Sequence, residues 1–224
     1  MRRVLLFVAL LANFQLTAQN LKIGIVAQPN LSYYTVQTDL SGLSQDFRQQ
    51  HKPIITYHAG ILVFKDLGKS VNFVTGLMFA QRGLKSQFNT NNVTSFNFSN
   101  GGFDLKLTDR FIEIPLLFNV NFNKGKAVTL FGSFGLKPSF YINSIRKVVG
   151  SGSNYSSYVY AAHRKFNIFA SLGLGVDVKI TDRFNLLLWP SIDHALISEV
   201  YAAPLKLYPY SAGVNLCLVY SLGN

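Results

Sequence analysis

Ser191-Ile192-Asp193-His194 carries, in four consecutive positions, the side-chain types of a nucleophile–base–acid relay. Such a relay moves the serine proton to histidine while the acid orients the ring, and all three must lie within hydrogen-bond reach. On a strand, successive side chains point to opposite faces. Ser191 and Asp193 then share one face and His194 takes the other, so the three do not converge. The other histidines are His51, His58 and His163. Cys217 is the single cysteine, which rules out an internal disulfide, and no metal-ligand spacing surrounds it. No glycine-rich stretch is followed by the lysine and helix of a phosphate loop. The expectation is a protein that is not an enzyme and carries no cofactor.

Two further sets of charged residues bear on function. Arg82, Glu113, Lys137, Asp177 and Asp193 mix both signs, so inside a narrow space they would either line an ion path or pair off and seal it. Arg146, Lys147, Arg164 and Lys165 are all cationic and suit phosphate groups, which guanidinium and ammonium donors bind well.

The elements that must position these residues are strands. In 166–180, Phe166, Ile168, Ala170, Leu172, Leu174, Val176, Val178 and Ile180 alternate with Asn167, Phe169, Ser171, Gly173, Gly175, Asp177 and Lys179. A period of two over this length means strand, not helix. The same alternation runs through 112–122, 128–142 and 208–222, and in weaker form through 21–34, 54–65, 71–82 and 184–195. Eight strands follow, at 21–34, 54–65, 71–83, 107–122, 127–142, 165–180, 184–195 and 207–222. The connections 66–70, 123–126 and 181–183 are short, whereas 35–53, 84–106, 143–164 and 196–206 are long and polar. Short and long in alternation is the signature of an up-and-down barrel with two unlike rims.

Composition decides which way the faces point. Hydrophobic residues make up 49% of the 224 residues and charged residues 14%, below the roughly 25% of soluble domains. Met1-Arg2-Arg3, an apolar run to Leu16 and the small Ala18 form a secretory signal pattern, which assigns 1–18 to a signal peptide and 19–224 to the barrel. An exported chain does not meet nucleic acid. The mature balance, 19 basic against 10 acidic once Arg2 and Arg3 are gone, therefore points to anionic lipid headgroups and lipopolysaccharide. A chain that crosses a membrane without an apolar helix must cross as a closed sheet. The polar faces carry Lys22, Arg82, Glu113, Lys137, Asp177 and Asp193 together with Gly173, Gly175, Ser133 and Gly213, all of which suit a narrow interior. Aromatics collect at both ends of the apolar faces: Tyr33, Phe79, Phe140, Phe166 and Tyr208 at one, and Phe73, Phe122, Phe184 and Tyr220 at the other. Two such belts match two membrane interfaces. The fold class expected is all-β, an eight-stranded antiparallel up-and-down transmembrane β-barrel in the bacterial outer membrane. Pro29, Pro115, Pro138, Pro190 and Pro209 fall within its strands, and bulges or locally broken pairing are expected there.

Arg110-Phe111-Ile112-Glu113-Ile114-Pro115-Leu116-Leu117-Phe118 resembles the "Y-I-E-I-P-L-L" strand of the PorT-like outer-membrane β-barrel family of Bacteroidetes. Gly132, Gly135 and Pro138 are similar to its "G-P-Y" segment, read here as Gly135-Leu136-Lys137-Pro138-Ser139, and Gly173-Leu174-Gly175-Val176 and Ala18-Gln19 fit the same group. The resemblance implies an eight-stranded outer-membrane barrel and a link to type IX secretion, as for the founding member. It gives Pro115 a counterpart in the family. It also implies assembly by the barrel assembly machinery, although Tyr220-Ser221-Leu222-Gly223-Asn224 lacks the usual final aromatic.

The function expected is structural or interactive, through loops. Residues 150–160 mix Tyr, Ser, Gly and Asn as binding loops do, and 87–103 are rich in Asn, Ser, Thr and Phe. A secretion-system or extracellular protein is the expected partner. The alternatives are a narrow channel or small porin, and a secreted lipocalin-like carrier. A filled interior favours a paired plug over an ion path.

Overall fold

The computed structural model describes residues 21–38, 51–88, 103–123, 126–150, 153–159, 164–199 and 205–222. The expected signal segment, 1–18, lies outside them, as do His163 and most of 35–53 and 89–102. Among the described residues ten strands form: β1 (Leu21–Thr38), β2 (His51–Asp66), β3 (Val71–Phe88), β4 (Phe103–Glu113), β5 (Leu116–Asn121), β6 (Val128–Gly150), β7 (Ser153–Val159), β8 (Phe166–Lys179), β9 (Phe184–Ala195) and β10 (Leu205–Ser221).

They close into a ring of antiparallel pairs. β1 pairs with β10 and β2, β2 with β3, and β6 with β8, which continues through β9 to β10. β4 and β5 both lie between β3 and β6, one after the other, so they form a single stave. β7 pairs with β6 beyond the ring. Ten strands thus make eight staves, the count expected from the alternation.

The strands run further than periodicity indicated at the long-loop rim. β6 continues to Gly150 and turns back as β7 through residues read from sequence as loop. Beyond the membrane both faces meet water. No apolar face then remains to mark the strand, while backbone pairing still forms.

Pro115 and Pro190 interrupt pairing locally without shifting the register. Pro115 separates β4 from β5, and Ile114 N–H donates to the Pro138 carbonyl at 2.9 Å across the gap. Yet Met78↔Glu113 and Thr75↔Leu116 keep one register on either side. Pro138 and Pro190 pair with Ile168 and Val214 within unslipped ladders. The register shifts lie elsewhere, between Pro53 and His58 on β2 and beside Arg110 and Phe111 where β4 meets β6. Of the two accommodations expected at strand prolines, the structure shows locally broken pairing rather than a bulge: pairing lapses at Pro115 between β4 and β5, and at Pro190 between Gly173↔Ser191 and Val176↔Leu188, because a missing N–H removes a ladder bond but does not add a residue.

The faces point as the alternation requires. Leu172 and Leu174 are 68% and 65% exposed, and Ile25, Ile61, Leu77, Ile192 and Leu216 face outward with them. A soluble carrier would turn this face inward. Ring pairs flank the apolar band: Phe140–Phe166 at 5.4 Å and Tyr33–Tyr210 at 5.8 Å toward the long-loop rim, Phe184–Tyr220 at 5.1 Å toward the other.

The interior departs from expectation in its lower half. Near the short-turn rim it is an apolar core of Val26, Leu62, Phe64, Val74, Met78, Leu117, Phe131, Leu187, Trp189, Cys217 and Val219. Phe131 and Trp189 meet edge to face at 6.1 Å. Small residues of β8 make room for them. A Cβ on Gly175 would lie 2.8 Å from the Phe131 ring and against Trp189, and one on Gly173 would lie 3.2 Å from Trp189. At the level of this core the staves carry apolar residues on both faces, one toward lipid and one toward the packed centre, and the buried polar residues Asn72, Asn121 and Thr129 follow toward the short-turn rim.

Candidate functional site

Above this core lies a charged layer. Arg82 projects inward from β3, Glu113 from the end of β4, Lys137 from β6 and Asp193 from β9. Period two places each on the inner face of its stave, and closure of the ring brings four distant segments to one level. Arg82 Nη1 donates to Glu113 Oε1, and Arg82 Nη2 lies 3.6 Å from Asp193 Oδ2. Lys137 Nζ is 2.8 Å from each Asp193 carboxylate oxygen. Ser139 Oγ, two residues along β6, donates to Glu113 Oε1 at 2.7 Å. Two cations and two anions thus form one neutral, fully buried group.

Two aromatic rings that meet edge to face at 6.2 Å, Phe111 and Phe169, lie against the guanidinium. Arg82 Cζ lies 3.7 Å from the Phe169 ring centroid and 5.7 Å from that of Phe111. A desolvated guanidinium over an aromatic face gains on the order of 2 kcal/mol. Removing one member of a buried ion group leaves an uncompensated charge, at a cost of about 3–5 kcal/mol.

Polar residues extend the layer. Gln28 Nε2 and Asn215 Nδ2 both donate to Ser191 Oγ, at 3.1 and 2.9 Å. His58, fully buried on β2, has Nε2 3.2 Å from the Gln81 carbonyl. Toward the long-loop rim, Tyr34 and Ser144 donate their hydroxyls to the two oxygens of Asp109. Ser144 Oγ also lies 2.7 Å from the Tyr141 hydroxyl.

Four of the five residues expected in an interior network are therefore together. Asp177 is not. It lies near the short-turn rim, accepts from Asn185 Nδ2 at 2.7 Å, and is separated from Asp193 by the apolar core. It shares its face with Ser171 and Gly173, but five residues of strand lie between Asp177 and Ser171, the partner of Asp193. The four basic residues expected at the outer rim stand at two levels. Tyr141 N–H donates to the Lys165 carbonyl, which sets Lys165 level with Tyr141, whereas Arg146 and Lys147 stand higher on β6, paired with Leu107 and Lys106. Arg164 is anchored by its N–H to the Glu199 carbonyl at 2.8 Å. Ser191 and Asp193 are buried within the barrel and His194 is exposed on the outer face, stacked 6.4 Å from Tyr208. Among the described residues, no group of three His, Cys, Asp or Glu is placed to hold a metal ion.

Reading charges alone missed Tyr34, His58, Asp109 and Ser144. Asp109 shares a face with Phe111 and Glu113, and Tyr34 shares one with Gln28, Asn30 and Ser32, so period two marked both. Ser144 carried no such signal, because the register shift beside Arg110 returns it to the inner face.

Apolar staves facing outward, two aromatic belts and a charge-paired interior define an integral β-barrel of the outer membrane. The chain belongs to the outer membrane protein beta-barrel domain family, whose model matches residues 15–199. Of the solved structures it is similar to, Neisserial surface protein A shares 10% identity, with 88% of this chain and 96% of that one covered, at a TM-score of 0.41. Ail, the attachment invasion locus protein of Yersinia pestis, shares 14% identity over 89% and 99% of the two chains, at 0.33. The outer membrane protease OmpT from Escherichia coli shares 9% over 92% and 98%, at 0.44. No residue role is taken from them. No curated protein matches the sequence.

Proposed function

We propose that the protein is a closed, non-enzymatic outer-membrane barrel that acts through its long-loop end, held toward the cell exterior, as a structural or interaction protein. The observation that carries this reading is the double seal. The ion group of Arg82, Glu113, Lys137 and Asp193 lies over a core that includes Phe131 and Trp189, and both span the interior. An eight-staved barrel has room to be filled by side chains and little more. Arg82, Glu113 and Asp193 are each 0% exposed, so they serve as a plug rather than an ion path.

The narrow channel is the second reading, and planar-bilayer recording separates the two. The folded protein is expected to show no unitary conductance, and Glu113→Ala should not open it, because the apolar core remains beneath. Steady conductance in the wild type would overturn the plug. A change in lipid A mass on expression would overturn the non-enzymatic reading.

A tie to type IX secretion, which the PorT-like strand Ile112–Leu117 suggests, fits an interaction protein of this kind. Deleting the gene and measuring the secreted cargo tests it; unchanged cargo export would remove that tie and leave the barrel's other interactions open to direct assay.

A further inference from the structure

Four lysines stand in one register row across four neighbouring staves. Lys52 on β2 pairs with Lys85 on β3, Lys85 with Lys106 on β4, and Lys106 with Lys147 on β6. The row then ends at Ser156 on β7. Paired residues share a face and stand about 4.5–5.5 Å apart at Cβ. The face is the outer one, because Leu84 and Ser86 on either side of Lys85 are buried while Lys52, Lys106 and Lys147 are exposed. Asp104 Oδ2 lies 2.6 Å from Lys85 Nζ, a carboxylate set against the row. Arg110, four residues below Lys106 on β4, faces the same way.

Like charges directly opposite one another across strands are destabilising. Lysines often guard the open edge of a sheet, but β3, β4 and β6 are each paired on both sides here. Edge protection does not account for the row, and an anionic counterpart does. The position says which one. Lys85 stands six residues beyond Phe79 of the aromatic belt, or roughly 15 Å higher along a tilted stave. That level lies above the hydrocarbon, in the headgroup layer, and the lysines point sideways into that layer rather than up from the loop tips.

We propose that Lys52, Lys85, Lys106 and Lys147 form a docking face for the phosphate groups of lipopolysaccharide in the surrounding outer leaflet. The proposal rests on the reading that the long-loop rim is extracellular. Of the cations singled out from sequence for such a contact, Lys147 alone lies in the row.

The test uses the full chain folded in detergent, titrated with rough-type lipopolysaccharide, with the same material after dephosphorylation, and with heparin as a soluble polyanion. A Lys85→Gln/Lys106→Gln/Lys147→Gln variant is compared with Lys69→Gln/Lys179→Gln/Arg183→Gln, which removes equal charge from the opposite rim. The row variant should bind phosphorylated lipopolysaccharide on the order of tenfold more weakly or worse, with a flatter salt dependence, and the control should bind as the wild type does. Should the triple variant lose heat-modifiable migration, Lys106→Gln alone is measured and a smaller loss in the same direction is expected. Undiminished binding by the row variant, equal binding of the dephosphorylated material, or tighter binding of heparin would each overturn the assignment. Orientation is read separately, by impermeant maleimide on intact cells carrying Lys106→Cys in a Cys217→Ser background. Label at Leu67→Cys instead would sink the rim orientation beneath both readings, whereas label at Lys106→Cys with unchanged binding by the row variant sinks the lysine row alone.

Discussion

Lys137 and Asp193 meet inside the barrel although their strands do not touch: β8 lies between β6 and β9, and the lysine reaches past it to place Nζ 2.8 Å from both carboxylate oxygens. The partners are 56 positions apart in sequence. Their pairing depends on ring closure and on the register that sets Lys137 against Phe169 and Asp193 against Ser171.

This pair predicts an asymmetry between single and double substitutions. Lys137→Met or Asp193→Leu alone should lower unfolding stability by about 3–5 kcal/mol, because each leaves a buried charge unmatched. The double variant should recover much of that loss. Urea titrations of heat-modifiable migration in detergent would measure it, and strictly additive losses would contradict the pairing.

Facing directions are checked one position apart on β8. Cysteine at Leu174, in a Cys217→Ser background, should react with a lipid-soluble maleimide and resist an aqueous one, since that residue is 65% exposed on the outer face. Leu174→Arg should cost about 2–4 kcal/mol near the membrane midplane. A cost close to zero would mean this face does not meet lipid.

The apolar core is tested at Trp189. Truncation to Ala should cost about 3–5 kcal/mol, as for other large aromatics in packed cores. Because Phe131 and the ion group remain, the barrel should stay closed to current. Conductance arising from Trp189→Ala alone would show that the upper layer does not seal.

Gly76 supplies a backbone test. Its φ of 157° and its closeness to the Ile61 carbonyl leave no room for a Cβ. Gly76→Ala should reduce stability and folding yield, whereas Gly68→Ala, where nothing lies within 4 Å, should leave both unchanged. Equal behaviour of the two variants would count against the close packing of β2 on β3.

Much of this was legible in the chain. Period two named the eight staves and sorted nearly every side chain into outward or inward, because a strand offers only two faces and lipid demands one kind of residue on one of them. The long and short connections set the rims for the same reason. Other features were not legible. The apolar lower interior was hidden because Phe131, Leu187 and Trp189 occupy the face that carries polar residues higher up, and alternation reports difference between faces rather than depth along a stave. The strand extensions through 143–159 were hidden because solvent on both sides erases the alternation. Registers across staves decided what sequence could not: that Asp177 stands apart from the ion group, that Tyr34 reaches Asp109, and that four scattered lysines form one row. A strand's sequence specifies which way each side chain points, but not which residue of the neighbouring strand lies beside it. That is settled by closing the ring, where the turns, the shifts at Pro53 and Arg110, and the packing of the filled interior must agree on a single stagger.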